Sequence, residues 1–293
     1  MTPGTARRTT PGRGTEQKPG KLVSRIVLIV VLLLLAVATV FPFYWMYILM
    51  THNRDTIFAA PPPLTFGDDL RRNYDALLAA VPFWKSMWNS LYLGVVTTVT
   101  ALFFCSLGGF ALAMYDFRFK KQIFGFIMAT FLMPGILNLI PYFLIIQALG
   151  WINEPKAVWV PGMATAFGIF MMRQFFASGM PKELMDAARI DGASEIRIFW
   201  NIALPLVRPG LSTLGLITFI GSWNGFLGPL VVLRGEEVQT VPLALRSLQG
   251  LAGQTDWGAV ILGAALAVTP LLVIFFIASK QIVEGLTQGA IKG

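Results

Sequence analysis

Long uncharged stretches alternate with short polar segments along most of the 293-residue chain. Stretches of this length predict transmembrane helices, because a bilayer core is crossed by about 20 apolar residues in helical form. Six spans are expected, at approximately residues 24–50, 87–114, 123–149, 157–176, 210–233 and 257–279. Residues 22–293 are expected to form one six-span domain after a flexible tail at residues 1–21, which is rich in Thr, Pro, Gly and Arg. The predicted fold class is an all-α integral membrane protein.

Two prolines, Pro134 and Pro141, interrupt the third of these stretches. Proline frees a backbone carbonyl and bends a helix, which a membrane tolerates only beside protein or a wet cavity. The third span is therefore predicted to be kinked. The pattern leaves open whether the kink lines a cavity or only serves packing.

The composition supports a membrane protein, since 55% of the residues are hydrophobic and only 13% are charged, whereas a soluble domain is about a quarter charged. One cysteine, Cys105, excludes an intrachain disulfide, and with His52 it supplies too few ligands for a metal site.

The net charge of +8 has a simpler explanation than a nucleic-acid partner. With the N-terminus inside, 16 of the 23 basic residues fall in the segments on the inner side of six spans. The positive-inside rule then predicts that both termini are cytoplasmic. A multi-pass protein in contact with membrane lipid is therefore expected.

A polar segment at residues 181–209 lies on that inner side and is predicted to form two short helices. Pro181 suits the first helical position and Glu183 suits the first turn. One face of the first helix is expected to carry Leu184, Ala187 and Ala188. Gly192 is placed to end this helix in a left-handed turn.

The second helix of the segment is expected to start at Ser194, which suits an N-cap. Its apolar side is expected to carry Ile196, Phe199, Trp200 and Ala203. Pro205 and Pro209 then break the backbone before the next apolar stretch. The alternative is an amphipathic helix that lies on the lipid surface, but surface binding requires neither the small Ala187–Ala188 pair nor the break at Gly192.

This segment resembles a known family signature, carried by Asp186-Ala187-Ala188, Asp191-Gly192-Ala193, Phe199, Ile202, Leu204-Pro205 and Pro209. The pattern is similar to the cytoplasmic EAA loop of ABC importer permeases, in particular the carbohydrate importers and their second maltose-type permease. Further matches are Asn73-Tyr74, Asn89-Ser90-Leu91, Trp223-Asn224 and the C-terminal residues from Gly285 to Gly293. One departure is Asp186, which stands where the family pattern has glutamate. The resemblance implies the architecture of a type I ABC importer permease, with a coupling helix pair, and a location in the cytoplasmic (inner) membrane of a bacterium.

The resemblance also implies partners and roles. A groove on each of two ATPase subunits, which bind ATP and Mg, would receive the loop at residues 181–205, so this chain is expected to be neither an enzyme nor a cofactor binder. The other expected partners are a second homologous permease, an extracytoplasmic solute-binding protein and a carbohydrate substrate. The expected ATPase-coupling residues are Glu183, Asp186, Ala187, Ala188, Arg189, Asp191, Gly192, Phe199 and Pro205.

The residues themselves favour a passive pathway driven by a partner. The chain lacks a Gly-x-x-x-x-Gly-Lys-Ser/Thr loop for ATP. The uncharged stretches within its spans lack Asp, Glu, Lys and Arg, the ionisable groups typical of ion-coupled carriers. A slow facilitator is not excluded by these residues. A permease of another ABC importer class, for polyamine or phosphonate, is the alternative within the family, and the sugar-type C-terminus argues against it. A membrane enzyme would require a cluster of catalytic side chains at membrane depth, which the spans lack.

Polar residues at membrane depth give a candidate substrate path of Asn138, Ser222, Trp223 and Asn224. Sugar sites stack aromatic faces on the ring and hydrogen-bond its hydroxyls, which Trp223 and Asn224 suit. The alternative is that Asn224 bonds a neighbouring helix and Trp223 only packs. The substrate stays open among neutral oligosaccharides, acidic oligosaccharides and glycerol phosphates.

Overall fold

The computed structural model describes residues 19–250 and 255–290. These residues form α-helices joined by short turns, and no strand occurs among them. The helices are α1 Pro19–Leu49, α2 Arg54–Ile57, α3 Leu70–Ala80, α4 Phe83–Met114, α5 Lys120–Leu132, α6 Leu139–Ala148, α7 Lys156–Gly162, α8 Ala166–Gly179, α9 Lys182–Ile190, α10 Glu195–Ile198, α11 Leu204–Leu206, α12 Arg208–Trp223, α13 Leu227–Val232, α14 Val241–Ser247 and α15 Trp257–Ala290. Two 3₁₀ turns lie at Gly135–Asn138 and Glu236–Val238, and a π-helical stretch lies at Phe199–Ala203.

The chain divides into two compact units, Met1–Tyr47 and Ile48–Gly293. The first unit contains most of α1, whose large apolar side chains from Ile26 to Val37 are all exposed. Exposure of a continuous apolar surface is what lipid contact requires of a transmembrane helix. Residues 1–18 of the predicted flexible tail lie outside the described residues, and α1 begins at Pro19, inside the tail's predicted range.

Three helices are long and apolar enough to cross a membrane, at Ser24–Leu49, Phe83–Met114 and Trp257–Ile277. They coincide with the first, second and sixth expected spans. Within the described residues, the number rises to five if each of two strongly bent helix pairs counts as one span. The six-span arrangement therefore stays a prediction.

The remaining expected spans are interrupted. In the third, the segments Lys120–Leu132 and Gly135–Ala148 meet at an angle of 98°, so the predicted kink is a full break of the helix. The break lies at Pro134, which has no backbone N–H to donate to a helical hydrogen bond. In the fourth, α7 and α8 are separate helices, and in the fifth, α12 and α13 are separated by residues 224–226.

The largest buried cluster of the second unit joins α4, α8, α12 and the segment after Pro181. Close contact between α4 and α8 depends on Gly109, because a Cβ atom there would lie 2.7 Å from the Cβ atom of Met172. Small residues allow helix backbones to approach in this way. The cluster positions the polar segment against the bundle.

Candidate functional site

The coupling segment, residues 181–206, contains α9, α10, the π-helical stretch and α11. Its first helix starts at Lys182, so Pro181 occupies the N-cap position rather than the predicted first helical position. Glu183 lies in the first turn, where the positive end of the helix dipole favours a carboxylate.

The first helix of the coupling segment ends in a Schellman motif. Gly192 has φ +78° and donates its N–H to the carbonyl of Arg189 at 3.0 Å, while Ala193 donates to Ala188 at 3.0 Å. A Cβ atom at Gly192 would meet nothing within 4 Å. The requirement for glycine is therefore conformational rather than steric, and the predicted left-handed turn is present.

Ser194 caps the second helix, since its Oγ accepts the N–H of Arg197 at 3.4 Å. The predicted apolar side of this helix is wrong in part, because Ile196 and Trp200 are exposed while Ile198 is fully buried. The π-helical stretch that follows has a wider turn than an α-helix. Within it Phe199 and Ala203 are buried as predicted, whereas Trp200 is exposed.

Two of the predicted coupling residues face the chain's own core. Ala188 is 7% exposed and packs with Met185, and Phe199 is 4% exposed with its ring 5.4 Å from that of Phe110. Leu184 and Ala187 are exposed, so the single face predicted for α9 is divided. Ala188 and Phe199 therefore fasten the coupling segment to the bundle, and their contact with an ATPase stays a prediction.

Arg189 holds the two helices of the coupling segment together. Its Nε–H donates to Glu195 Oε1 at 2.8 Å, and its Nη1–H donates to Asp186 Oδ1 at 3.2 Å. The guanidinium lies 5.7 Å from the centre of the Tyr115 ring. Charge-assisted hydrogen bonds of this kind are stronger than neutral ones and fix the relative orientation of the two groups. Asp186 and Arg189, predicted to make polar contacts with a partner, are thus paired with each other in this chain.

Tyr115 completes this group by donating its phenolic hydroxyl to Glu195 Oε2. The bonds from Arg189 and then from Tyr115 hold the pKa of the Glu195 carboxyl below its ordinary value. Burial, followed by the bond to Glu195, raises the pKa of Tyr115 to about 12. The pKa of Arg189 is raised, chiefly by the same carboxylate. We call Asp186, Arg189, Glu195 and Tyr115 the brace.

A second attachment lies one residue further along the chain. Asp116 accepts from Lys182 at 3.2 Å and from Lys120 at 3.1 Å, and the bonds from these two amines, with that from Lys120 the larger effect, lower its pKa. The turn between α4 and α5 therefore contacts both helices of the coupling segment. Sequence analysis missed Tyr115 and Asp116; their only signal is their place directly after the second uncharged stretch.

The remaining predicted coupling residues are solvent-exposed, namely Glu183, Ala187, Asp191, Gly192 and Pro205. With the brace, they give the coupling segment an outer surface of small and charged groups, which also carries the exposed apolar side chains of Ile190, Ile196 and Trp200. Such a surface suits docking of another protein.

The predicted substrate residues do not converge. Trp223 is 3% exposed, donates its indole N–H to the Ala267 carbonyl at 3.2 Å and stacks on Phe219 with 5.7 Å between ring centres. Its face is therefore unavailable to a sugar ring, so the packing alternative holds for this residue. Ser222 Oγ is buried with no described hydrogen-bond partner, and Asn224 is exposed where α12 ends.

Asn138 lies at a cavity of about 560 Å³ between two broken helices. The 3₁₀ turn that ends at Asn138 forms one side, and Leu227 and Gly228, just after the α12 break, form another. Tyr142 also lines the cavity and donates its hydroxyl to the Ala157 carbonyl at 2.9 Å. Of the four predicted substrate residues, only Asn138 lines this cavity.

Comparison with known proteins agrees with the family that the sequence predicts. Residues 105–288 match the family model described as binding-protein-dependent transport system inner membrane component. The chain is 34% identical over 244 residues to the arabinooligosaccharides transport system permease protein AraQ of Halalkalibacterium halodurans, covering 83% of this chain and 85% of that protein.

A second relative and a solved structure agree with this match. The lactose transport system permease protein LacG of Rhizobium radiobacter is 34% identical over 262 residues, with coverage of 89% and 94%. A bacterial ABC transporter crystal structure, described as involved in the import of the acidic polysaccharide alginate, contains a chain that matches with a TM-score of 0.77 at 23% identity, covering 91% of this chain and 99% of that one. The predicted fold class is confirmed, and the chain belongs to the family of binding-protein-dependent transport system inner membrane components, the permease subunits of ABC importers.

Proposed function

We propose that this chain is the transmembrane permease subunit of an ATP-driven importer for a carbohydrate, received from a solute-binding protein and passed inward by alternating access. The named substrates of its relatives support this proposal: arabinooligosaccharides, lactose and, for a 32% identical protein of Thermococcus litoralis, trehalose and maltose. Relatives for sn-glycerol-3-phosphate are 30% identical. The relatives named here give no support to the alternative of a polyamine or phosphonate permease.

The observation that carries the proposal is the attachment of the coupling segment to the bundle. The segment is fixed to α4 through Tyr115 and Phe110 and exposes charged, small and apolar side chains outward. A force applied to that outer surface would move α4 and the helices packed on it as one body. Rigid-body rocking of packed helices is an established way to convert such a displacement into alternating access.

The partners follow from this role. Two ATPase subunits hold ATP and Mg and hydrolyse the nucleotide, and a second homologous permease completes the pathway. This chain supplies no cofactor site of its own. The coupling segment and both termini face the cytoplasm in this arrangement.

Cysteine labelling tests the orientation. In a background without Cys105, Leu70→Cys should react with an impermeant maleimide added outside intact cells, and Phe119→Cys should react only after permeabilisation. Both side chains are exposed, so accessibility to solvent does not distinguish them. External labelling of position 119 would contradict the orientation.

Asp186 tests the coupling role. Asp186→Glu keeps the carboxylate and should retain substantial uptake in proteoliposomes, while Asp186→Asn should lose much of it and weaken ATPase pull-down. Asp186 lies in the middle of α9, and its partner within the chain is Arg189 in an exposed i,i+3 pair. Such a pair contributes only about 0.2–0.5 kcal/mol, so a purely structural role would leave the Asn variant with nearly normal uptake. Normal uptake and normal pull-down in that variant would contradict the proposal.

A further inference from the structure

A cavity of about 440 Å³ lies between α13 and α14, the two helices that follow α12 along the chain. Two arginines line it, Arg234 and Arg246, together with the amides of Gln239 and Gln249 and the hydroxyl of Ser247. None of its lining residues is acidic. A cavity of this size suits a small ligand rather than a protein surface.

Both arginines rest on aromatic rings. The Arg234 guanidinium lies 5.1 Å from the Phe143 ring centre, and that of Arg246 lies 6.0 Å from the Phe226 ring centre. Among the described residues, neither forms an ion pair. A ring face holds a planar guanidinium by cation–π attraction and leaves its charge uncompensated by a carboxylate.

The backbone around the cavity is held by three side chains from elsewhere in the unit. Asn153 Oδ1 accepts the N–H groups of Arg234 at 2.7 Å and of Gly235 at 2.9 Å. Asn89 donates to the Gln239 carbonyl at 3.0 Å, and Ser90 Oγ accepts the Val241 N–H at 2.9 Å. Nearby Glu237 is paired with Lys85 at 3.2 Å and is not a lining residue. The cavity walls are thus built before any ligand arrives.

We propose that this cavity binds an acidic carbohydrate, with Arg234 and Arg246 on its carboxylate or phosphate and the amide and hydroxyl groups on its ring hydroxyls. Arg234 donates its Nε–H to the Val231 carbonyl at 3.3 Å, which leaves its Nη groups for a planar carboxylate. Side-chain amides both donate to and accept from sugar hydroxyls, and Ser247, whose hydroxyl donates to the Leu243 carbonyl at 3.3 Å, can accept from one. The inference rests on the proposed function, since it selects acidic from neutral substrates of the same importer.

The test is binding of D-glucuronate, with D-glucose as the neutral match, to the assembled importer in nanodiscs of zwitterionic lipid without ATP. Saturation-transfer NMR gives the relative affinities. The wild type should prefer glucuronate, and the Arg234→Gln/Arg246→Gln double variant should bind it about tenfold or more weakly, as loss of a charge-assisted bond predicts. Arg71→Gln removes the same charge from another exposed arginine and should leave binding unchanged.

Three results would overturn the inference: equal affinity for both sugars, an unchanged affinity in the double variant, or an equal loss in Arg71→Gln. The double variant also distinguishes two other possible partners of the arginines, an anionic lipid and the solute-binding protein. A double variant that binds glucuronate normally but retains less phosphatidylglycerol, or associates less with the solute-binding protein, would assign the arginines to those partners instead. Failure of ATP-driven uptake with intact glucuronate binding would count against the proposed function alone, because the binding measurement uses no ATP.

Discussion

The two ends of helix α12 carry charge in opposite ways. In the coupling segment before it, Asp186, Arg189 and Glu195 are paired with one another. After it, Arg234 and Arg246 lie on aromatic rings at a cavity without acidic lining residues. Paired charges fix the geometry of a segment whatever it contacts, whereas arginines without a carboxylate partner keep their electrostatic attraction for a ligand. The two proposals above assign force transmission to the first part and ligand binding to the second.

The largest effect is expected where the coupling segment enters the core. Ala188→Trp should destabilise the chain by about 1–3 kcal/mol, because the buried site has no room for an indole. Ala187→Trp, on the neighbouring exposed position, should leave stability unchanged and weaken ATPase pull-down. Thermal unfolding in detergent and pull-down measure the two effects. Equal destabilisation by both variants would show that the two faces of α9 are wrongly assigned.

A smaller loss is expected at the turn between the two coupling helices. Gly192→Val places a β-branched residue at φ +78°, which costs about 1–2 kcal/mol for an L-residue in the left-handed region. Uptake per ATP hydrolysed should fall while membrane insertion persists. Gly192→Asn is the matched control, since asparagine tolerates this conformation, and it should retain most of the coupling. Wild-type coupling in the valine variant would contradict the conformational role of Gly192.

The brace should give a moderate effect because its groups are partly exposed. Glu195→Gln removes the acceptor charge shared by Arg189 and Tyr115, and we expect a decrease of about twofold to fivefold in uptake rate. Tyr115→Phe removes one of the same bonds and should act in the same direction but less strongly. If both variants transport at the wild-type rate, the brace has no part in coupling.

The pH dependence of the brace has a definite sign. Because the pKa of Glu195 is lowered in the folded chain, its stabilisation is present above the ordinary value of 4.5 and is lost as the pH falls through the lower folded value. Because the pKa of Tyr115 is raised to about 12, its contribution is present below 10.0 and is lost as the pH rises towards 12. Unfolding measured against pH should show both losses in the wild type, and Glu195→Gln should lack the acid one.

The smallest effect is expected at Trp223, the last residue of α12. Trp223→Phe keeps an aromatic ring against Phe219 and removes the bond to the Ala267 carbonyl. Stability should fall by about 0.5–1.5 kcal/mol, the worth of one neutral hydrogen bond, and substrate affinity should stay unchanged. A selective loss of affinity, measured by titration of the transported sugar, would restore Trp223 to the substrate path.

Sequence analysis predicted the parts of the coupling segment that depend on neighbouring residues. The left-handed turn at Gly192 and the cap at Ser194 are present as expected, because each depends on a residue and its partners within five positions. The resemblance to carbohydrate importer permeases is confirmed by the relatives. The expected contacts of Glu183, Asp191 and Pro205 with an ATPase stay predictions.

The chain's own sequence therefore determined its apolar stretches, its family and the local geometry of the coupling segment, since hydropathy and backbone preference are properties of short stretches. Only the tertiary structure decided that Ala188 and Phe199 face the core, that Trp223 packs, and that Tyr115 meets Glu195 across 80 residues of sequence. Such contacts depend on how distant helices pack. A periodic pattern indicates which residues of one helix share a face, but packing against other helices determines which face is buried.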